Sequence, residues 1–140
     1  MLYAGTAENV ATLTMEQRAN AVNQQASLCE LSWLGGILDG EGCISIDKKA
    51  QECVCPLVTI VNTDFTLTNA VETILLSHFI AFYRRTHPQK GNWKPKIEIV
   101  ISGFKRVKRF LDVVRPYVIA KAQKADLVLQ LCAMRELAGR

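Results

Sequence analysis

The sequence predicts an α+β domain, on three observations. Segments of alternating apolar and polar residues come in two pairs, near residues 43–61 and 79–102, and each pair is joined by a polar loop. After each pair, apolar residues recur at helical spacing. The 140 residues and 49% hydrophobic content suit one globular domain with a real core rather than a disordered chain. The order reads α-ββα-ββα-α, with two hairpins forming one sheet.

Residues 1–27 are rich in Ala, Asn, Gln and Thr and are read as a helical extension, with 28–140 as the domain proper. Thr14 opens a helix running to about Ala26, with Gln17 placed as in a capping box. The sequence does not decide whether this helix packs on the domain. The next helix, from Leu31 to Gly42, reads LSWLGGILDGEG. Leu31, Leu34, Ile37 and Leu38 mark its apolar face. Gly35 and Gly36 sit mid-helix, where each costs roughly 1 kcal/mol relative to Ala. A sequence tolerates that when another backbone must come very close, as in tightly packed helix pairs. Asp39-Gly40-Glu41-Gly42 closes the run, and Gly40 or Gly42 is expected to take positive φ there. Carboxylates are disfavoured at a helix C-terminus, where the macrodipole is negative. Two of them ask for a cation, and a hard divalent ion such as Mg²⁺ prefers such oxygen ligands. On the residues alone, a plain core helix with an acidic turn stands equally open.

Cys43-Ile-Ser-Ile-Asp-Lys alternates, Lys48 to Glu52 forms a polar turn, and Cys53 to Val61 is the second strand. Its Pro56 argues for an edge or a bulge. Asn62-Thr63-Asp64 caps a helix with Leu67, Ala70, Val71, Ile74 and Leu75 on one face. The second hairpin spans Phe79 to Thr86 and Pro95 to Ser102, around the loop HPQKGNWK. Ile97, Ile99 and Ile101 face inward; whether Tyr83 and Arg85 or Ile80, Phe82 and Arg84 face outward stays open. Phe104, Val107, Phe110, Leu111 and Val114 form the core side of a helix that Pro116 ends. The last helix, about Ala120 to Leu137, is expected to bury Leu127, Gln130 or Leu131, Met134 and Leu137.

The charge is uneven. Up to Tyr83 three basic residues stand against nine acids, whereas from Arg84 to Lys124 twelve basic residues stand against Glu98 and Asp112. Such asymmetry points to a polyanion such as nucleic acid. Five cysteines, without CxxC pairs, are read as free thiols in a reducing intracellular compartment, whether organelle or prokaryotic cytoplasm. No apolar run reaches the length of a membrane span, and the start lacks the basic region of a signal peptide.

The stretch Leu34 to Gly42, LGGILDGEG, resembles the motif that names the LAGLIDADG homing endonucleases. Leu34, Gly36, Asp39 and Gly42 match outright. Gly35 and Gly40 keep the small class, Ile37 and Leu38 the apolar class, and Glu41 replaces one acid by the other. The downstream element order fits too, so the resemblance spans roughly Leu28 to Leu137. It implies an αββαββα domain with a four-stranded, antiparallel, saddle-shaped sheet, here with an extra N-terminal helix. It also implies an intron-encoded, site-specific endonuclease that makes a double-strand break with 3′ overhangs in a long pseudo-palindromic DNA. One motif per chain implies a C₂ homodimer, its interface built from Leu34, Gly35, Gly36, Leu38, Asp39 and Gly40.

The resemblance gives Glu41 the metal-ligand role, with Mg²⁺ or Mn²⁺ as cofactor and Ca²⁺ as a non-cleaving substitute. Asn62 matches the polar residue that ends the second strand and positions solvent. Lys121, in PYVIAKAQKADLVL, matches a lysine entering the last helix whose ammonium stabilises charge. A basic residue often found early in the helix after Asn62 is missing, since Thr66 or its neighbours stand there. A two-stranded ribbon fits the DNA major groove and reads base edges with its outward side chains. The expected contacts are Lys48, Lys49, Tyr83, Arg85, Lys90, Lys94 and Lys96, with Ser45, Thr59 and Glu98 as polar readers. An intron maturase that binds intron RNA, or a DNA-binding regulator without cleavage, is the alternative on the same scaffold. The trio Glu41, Asn62 and Lys121 favours the nuclease, because a pure binder has no need of an acid at a helix C-terminus.

Overall fold

Thr14 opens the first helix, α1 (Met15–Glu41), with both halves of a capping box. Its hydroxyl accepts from the Gln17 amide at 3.1 Å, and the Gln17 side chain accepts from the Thr14 amide at 2.9 Å. The computed structural model describes residues 14–50 and 53–139; the expectations for residues 1–13 and for Gln51 and Glu52 lie outside the described residues. Where the sequence suggested two helices, one runs through, because Ser27 to Glu30 contains neither Gly nor Pro to break it. The boundary drawn between 27 and 28 thus falls inside α1.

The helix ends by a different device from the one expected. Neither Gly40 nor Gly42 has positive φ. Gly42 is extended, and a Cβ there would lie 2.8 Å from the Leu38 carbonyl oxygen and 2.6 Å from the Leu38 side chain. Glycine is needed at this corner for space, so that the chain can double back from helix to strand.

Strands β1 (Gly42–Lys48), β2 (Val54–Asn62), β3 (Tyr83–His87) and β4 (Lys96–Ser102) form one antiparallel sheet in the order β1-β2-β4-β3. Pro56 lies inside this sheet with no bulge, since it pairs with Ile46 in an unbroken register. The β4 ladder begins only at Leu57, and the Pro56 carbonyl accepts from Gly103 beyond the end of β4. Its missing N–H therefore costs the ladder no bond.

Helices α2 (Phe65–Ser77), α3 (Phe104–Val114) and α4 (Ala122–Leu137), with α1, cover one face of the sheet. A short 3₁₀ turn, Arg115–Tyr117, carries Pro116 and joins α3 to α4. The core gathers Leu34 and Leu38 of α1, Ile44, Val58, Ile60, Ile97, Ile99 and Ile101 of the sheet, and Val71, Leu75, Val107, Phe110, Leu111 and Val114 of the helices. Burial of this kind stabilises by about 1.5–3 kcal/mol per large side chain.

Two expectations fail locally. The segment from Phe79 is a turn, and the strand starts only at Tyr83. The amide of Ile80 donates to Leu75 and that of Phe79 to Leu76, a Schellman closure of α2 that puts Phe79 at φ +57°. In α4 the buried residues are Ala125, Val128 and Cys132, while Leu127, Met134 and Leu137 are exposed. Small residues let α4 lie close on α3, where Cys132 donates to the Phe104 carbonyl and Arg135 stacks 4.7 Å from the Phe104 ring centre. The largest apolar residues marked the wrong side.

Candidate functional site

The two acids that end α1 lead separate lives. Asp39 turns back onto the chain, accepting from the amides of Ile119 at 2.7 Å and Lys121 at 3.0 Å. Burial pushes its carboxyl up, but hydrogen bonds from the amides of Ile119, Lys121 and Ala120, and the Lys121 charge, outweigh that and hold it below its ordinary value. Its anion sits where the α4 chain enters, a place that the α4 dipole favours. Glu41 is exposed at the helix end. It borders a shallow recess with Val61, Asn62, Thr63 and Lys96.

Asn62 ends β2, and its side-chain oxygen accepts from the Asp64 amide at 2.7 Å. Asp64 in turn caps α2 through Thr66 and Leu67. Lys121 lies outside this recess, beside Ala120, Gln123, Lys124 and Leu127. Its ammonium donates to the Asp39 carbonyl oxygen, which ties it two residues from Glu41. Lysine compensates the negative end of α1 there. The structure thus places Glu41 and Asn62 on one recess, and ties Lys121 to the end of α1 through the backbone of Asp39. Lys96, read from sequence as a DNA contact, also reaches the recess because the start of β4 pairs with the end of β2.

Register divides the remaining candidates. Residues opposite one another on neighbouring strands share a face. Ser45, Thr59, Tyr83, Arg85, Lys96 and Glu98 share the face turned away from the helices, together with Asp47 and His87. Val100, between Thr59 and Tyr83 on that face, is wholly buried, so its neighbours close over it. Arg84 points to the helices and forms a two-bond ion pair with the nearly buried Glu72, which settles the open question of phase. The Arg85 guanidinium donates to the Tyr83 hydroxyl at 3.0 Å and lies 5.4 Å from that ring centre. Glu98 holds Arg85 at 3.5 Å and His87 at 3.4 Å.

Lys48 departs from the expectation. It pairs with Val54 on the Ile44 side of β1, because the alternation that sets Ser45 and Asp47 outward sends Lys48 the other way. Lys49, Lys90 and Lys94 lie in loops and are exposed. The β3–β4 loop carries Trp93, 73% exposed, with the Lys96 ammonium 5.9 Å from its ring centre; the reading of the site missed this tryptophan. The basic block from Arg84 to Lys124 is not one patch. Lys105, Arg106, Lys108 and Arg109 lie on α3, in the helix layer behind the sheet, and Arg115 pairs with Asp126.

The interface expected on α1 is divided. Leu34 and Leu38 have no exposed surface and belong to this chain's own core. A Cβ at Gly35 would lie 2.7 Å from Cβ of Tyr117, so that glycine serves the chain's own packing. Gly36 and Gly40 have nothing within 4 Å and face outward.

The family model described as LAGLIDADG-like domain matches residues 29–115, more than half of the chain. The chain belongs to the LAGLIDADG family. The match includes Glu41 and Asn62 and stops short of Lys121. The chain has the fold of LAGLIDADG homing endonucleases. One similar structure is the homing endonuclease I-CvuI in complex with its target in the presence of calcium, at 22% identity and TM-score 0.63, covering 77% of this chain and 68% of that one. Another is the meganuclease I-SmaMI bound to uncleaveable DNA, at 12% identity and TM-score 0.60, covering 94% of this chain and 50% of that one. A third is the archaeal intron-encoded homing endonuclease I-Vdi141I complexed with DNA, at 15% identity and TM-score 0.59, covering 75% and 67%. A comparison with curated protein sequences finds no match. Among the described residues of this LAGLIDADG chain, no three His, Cys, Asp or Glu side chains come together as a metal cluster, and no helix is long and apolar enough to cross a membrane.

Proposed function

We propose that this chain is a site-specific, intron-encoded DNA endonuclease that works as a homodimer. It cuts both strands of a long pseudo-palindromic target and leaves 3′ overhangs. The observation that carries the reading is the exposed Glu41 at the end of α1, with the open Gly40 next to it and the open Gly36 one turn before that. One carboxylate is too few to hold a cation alone, and a two-fold through the glycine face brings in a second. The oxygen donors fit a hard divalent ion, Mg²⁺ or Mn²⁺, with Ca²⁺ as a non-cleaving substitute. The chemistry such an ion supplies when bound is activation of water and neutralisation of phosphate charge.

The chain's own groups do the rest. Glu41 would be the side chain that holds the cation. Asn62, whose side-chain oxygen accepts from the Asp64 amide, lines the recess and positions solvent there. Lys121, anchored on the Asp39 carbonyl, adds positive charge where the phosphate becomes more negative. Ser45, Thr59, Tyr83, Arg85, Lys96 and Glu98 lie along the duplex and read or anchor it, and Lys49, Lys90 and Lys94 flank them from the loops. The I-SmaMI match, in which this chain covers half of a DNA-bound protein, supports a site made from two such domains.

The test uses supercoiled plasmid carrying the intronless host-gene junction, Mg²⁺, and the protein as wild type or Glu41→Gln. Linear product from the wild type, and binding without cutting by the variant, is the expected result. Binding without nicking by either form favours a regulator, and splicing rescue by both favours a maturase; either outcome overturns the nuclease reading.

A further inference from the structure

The tip of the β3–β4 hairpin is held by its own backbone. The Trp93 amide donates to the Lys90 carbonyl at 3.1 Å, and the two residues form an isolated antiparallel bridge. Between them Gly91 has φ +60° and Asn92 does not share it, the pattern of a type II′ turn. Pro88 and Pro95 stiffen the two approaches. Residues opposite one another across a bridge share a face, so Lys90 and Trp93 stand side by side. They line an open recess of about 790 Å³ together with His87, Lys94 and Lys96. The Lys96 ammonium lies over one face of the indole, and with the residue so exposed the other face is free. No acid occurs between His87 and Lys96. Among the described residues, no carboxylate pairs with Lys90, Lys94 or Lys96.

We infer that this recess binds an unpaired nucleotide of a single strand, with its base stacked on Trp93 and its phosphates held by Lys90, Lys94 and Lys96. A ligand that suits both features needs a planar π face and negative charge. Within a duplex each base is covered above and below by its neighbours and offers only its edges. An unpaired base exposes its face, and an aromatic side chain stacks on it whatever its identity. The sheet face is built differently: the Tyr83 ring already carries the Arg85 guanidinium, which leaves edge-reading groups in front. Lys96 lines both the Trp93 recess and the recess of Glu41 and Asn62, so the two adjoin and one strand can run from one to the other. The inference goes beyond the nuclease reading and stands without it. Strands of DNA and of RNA share the required chemistry, and the test separates them.

The experiment uses the full chain with Trp33→Phe, which leaves Trp93 as the sole tryptophan. Its fluorescence is followed while oligothymidylate or oligouridylate of about ten nucleotides is added. Saturable quenching is expected from both; quenching by one alone supports the site and names its sugar. An abasic strand of equal length keeps the phosphates and should bind about tenfold or more weakly, without quenching. A long blunt duplex of unrelated sequence should leave the emission unchanged. In fluorescence anisotropy with end-labelled oligonucleotide, Trp93→Ala weakens binding about tenfold or more, and Trp93→Phe restores most of it. Circular dichroism verifies that the variants stay folded. Quenching by neither strand, equal binding of the abasic strand, equal quenching by the duplex, or a loss below about twofold in Trp93→Ala overturns the inference. Plasmid cleavage is the separate readout: its absence beside intact quenching sinks the nuclease reading alone.

Discussion

The inner and outer sides of α1 between Leu34 and Gly40 use one residue type for opposite ends. Gly35 is small because Tyr117 of the same chain presses on it; Gly36 and Gly40 are small with nothing against them. Asp39 and Glu41 repeat the contrast two residues apart. One acid is consumed by the amides of Ile119 and Lys121, and the other is left at the surface beside Asn62. The lesson is that a glycine or an acid in the motif has no fixed role: the side of the helix decides whether it builds the fold or stays open at the surface.

Mutations on the two sides therefore separate. The largest loss is expected from Leu38→Ala, which empties a fully buried site and lowers unfolding free energy by about 2–5 kcal/mol in a denaturant titration. Gly35→Ala follows at about 1–3 kcal/mol, because the new methyl meets Tyr117. Its counterpart Gly36→Ala should leave the single chain as stable or up to about 1 kcal/mol more so, from better helix propensity, while weakening association. Equal stability losses at 35 and 36 would erase the distinction between the two sides.

Asp39→Asn sharpens the contrast with Glu41 through pH. The Asp39 carboxyl is held below its ordinary 3.8, so its contribution is present above that pH and is lost as pH falls through the lower native value. The variant should lose about 1 kcal/mol near neutrality. Its melting temperature should then fall less than the wild type's on acidification below about pH 4. Glu41→Gln should leave the melting temperature nearly unchanged. The smallest effect is a gain: Phe79→Gly relieves the left-handed turn after α2 and should add up to about 1 kcal/mol.

Much of this architecture was legible in the residues. The strand alternation around Ile44, Val58 and Ile99, the Thr14 and Asp64 caps, and the core side of α3 all appear as read. They were legible because each depends on neighbours within one element. The failures need a second element to explain them. Pro56 fits because β4 ends beside it, Lys48 turns away by parity at the strand end, and α4 buries its small residues because α3 lies close. The same holds at the site. Glu41 was legible as the exceptional acid, but its neighbourhood with Lys96, and the tether from Asp39 to Lys121, arise only when residues distant in the sequence, 82 positions apart in the second case, meet.

The central claim is that the cutting site is assembled from two copies of the exposed acid at position 41. A pair of differently tagged chains, one wild type and one Glu41→Gln, purified together and given Mg²⁺ and target plasmid, tests it directly. The expected outcome is bound DNA without linear product, and at most a nick. Linearisation at the rate of the wild-type pair would mean that each chain cuts without its partner's acid, and would contradict it.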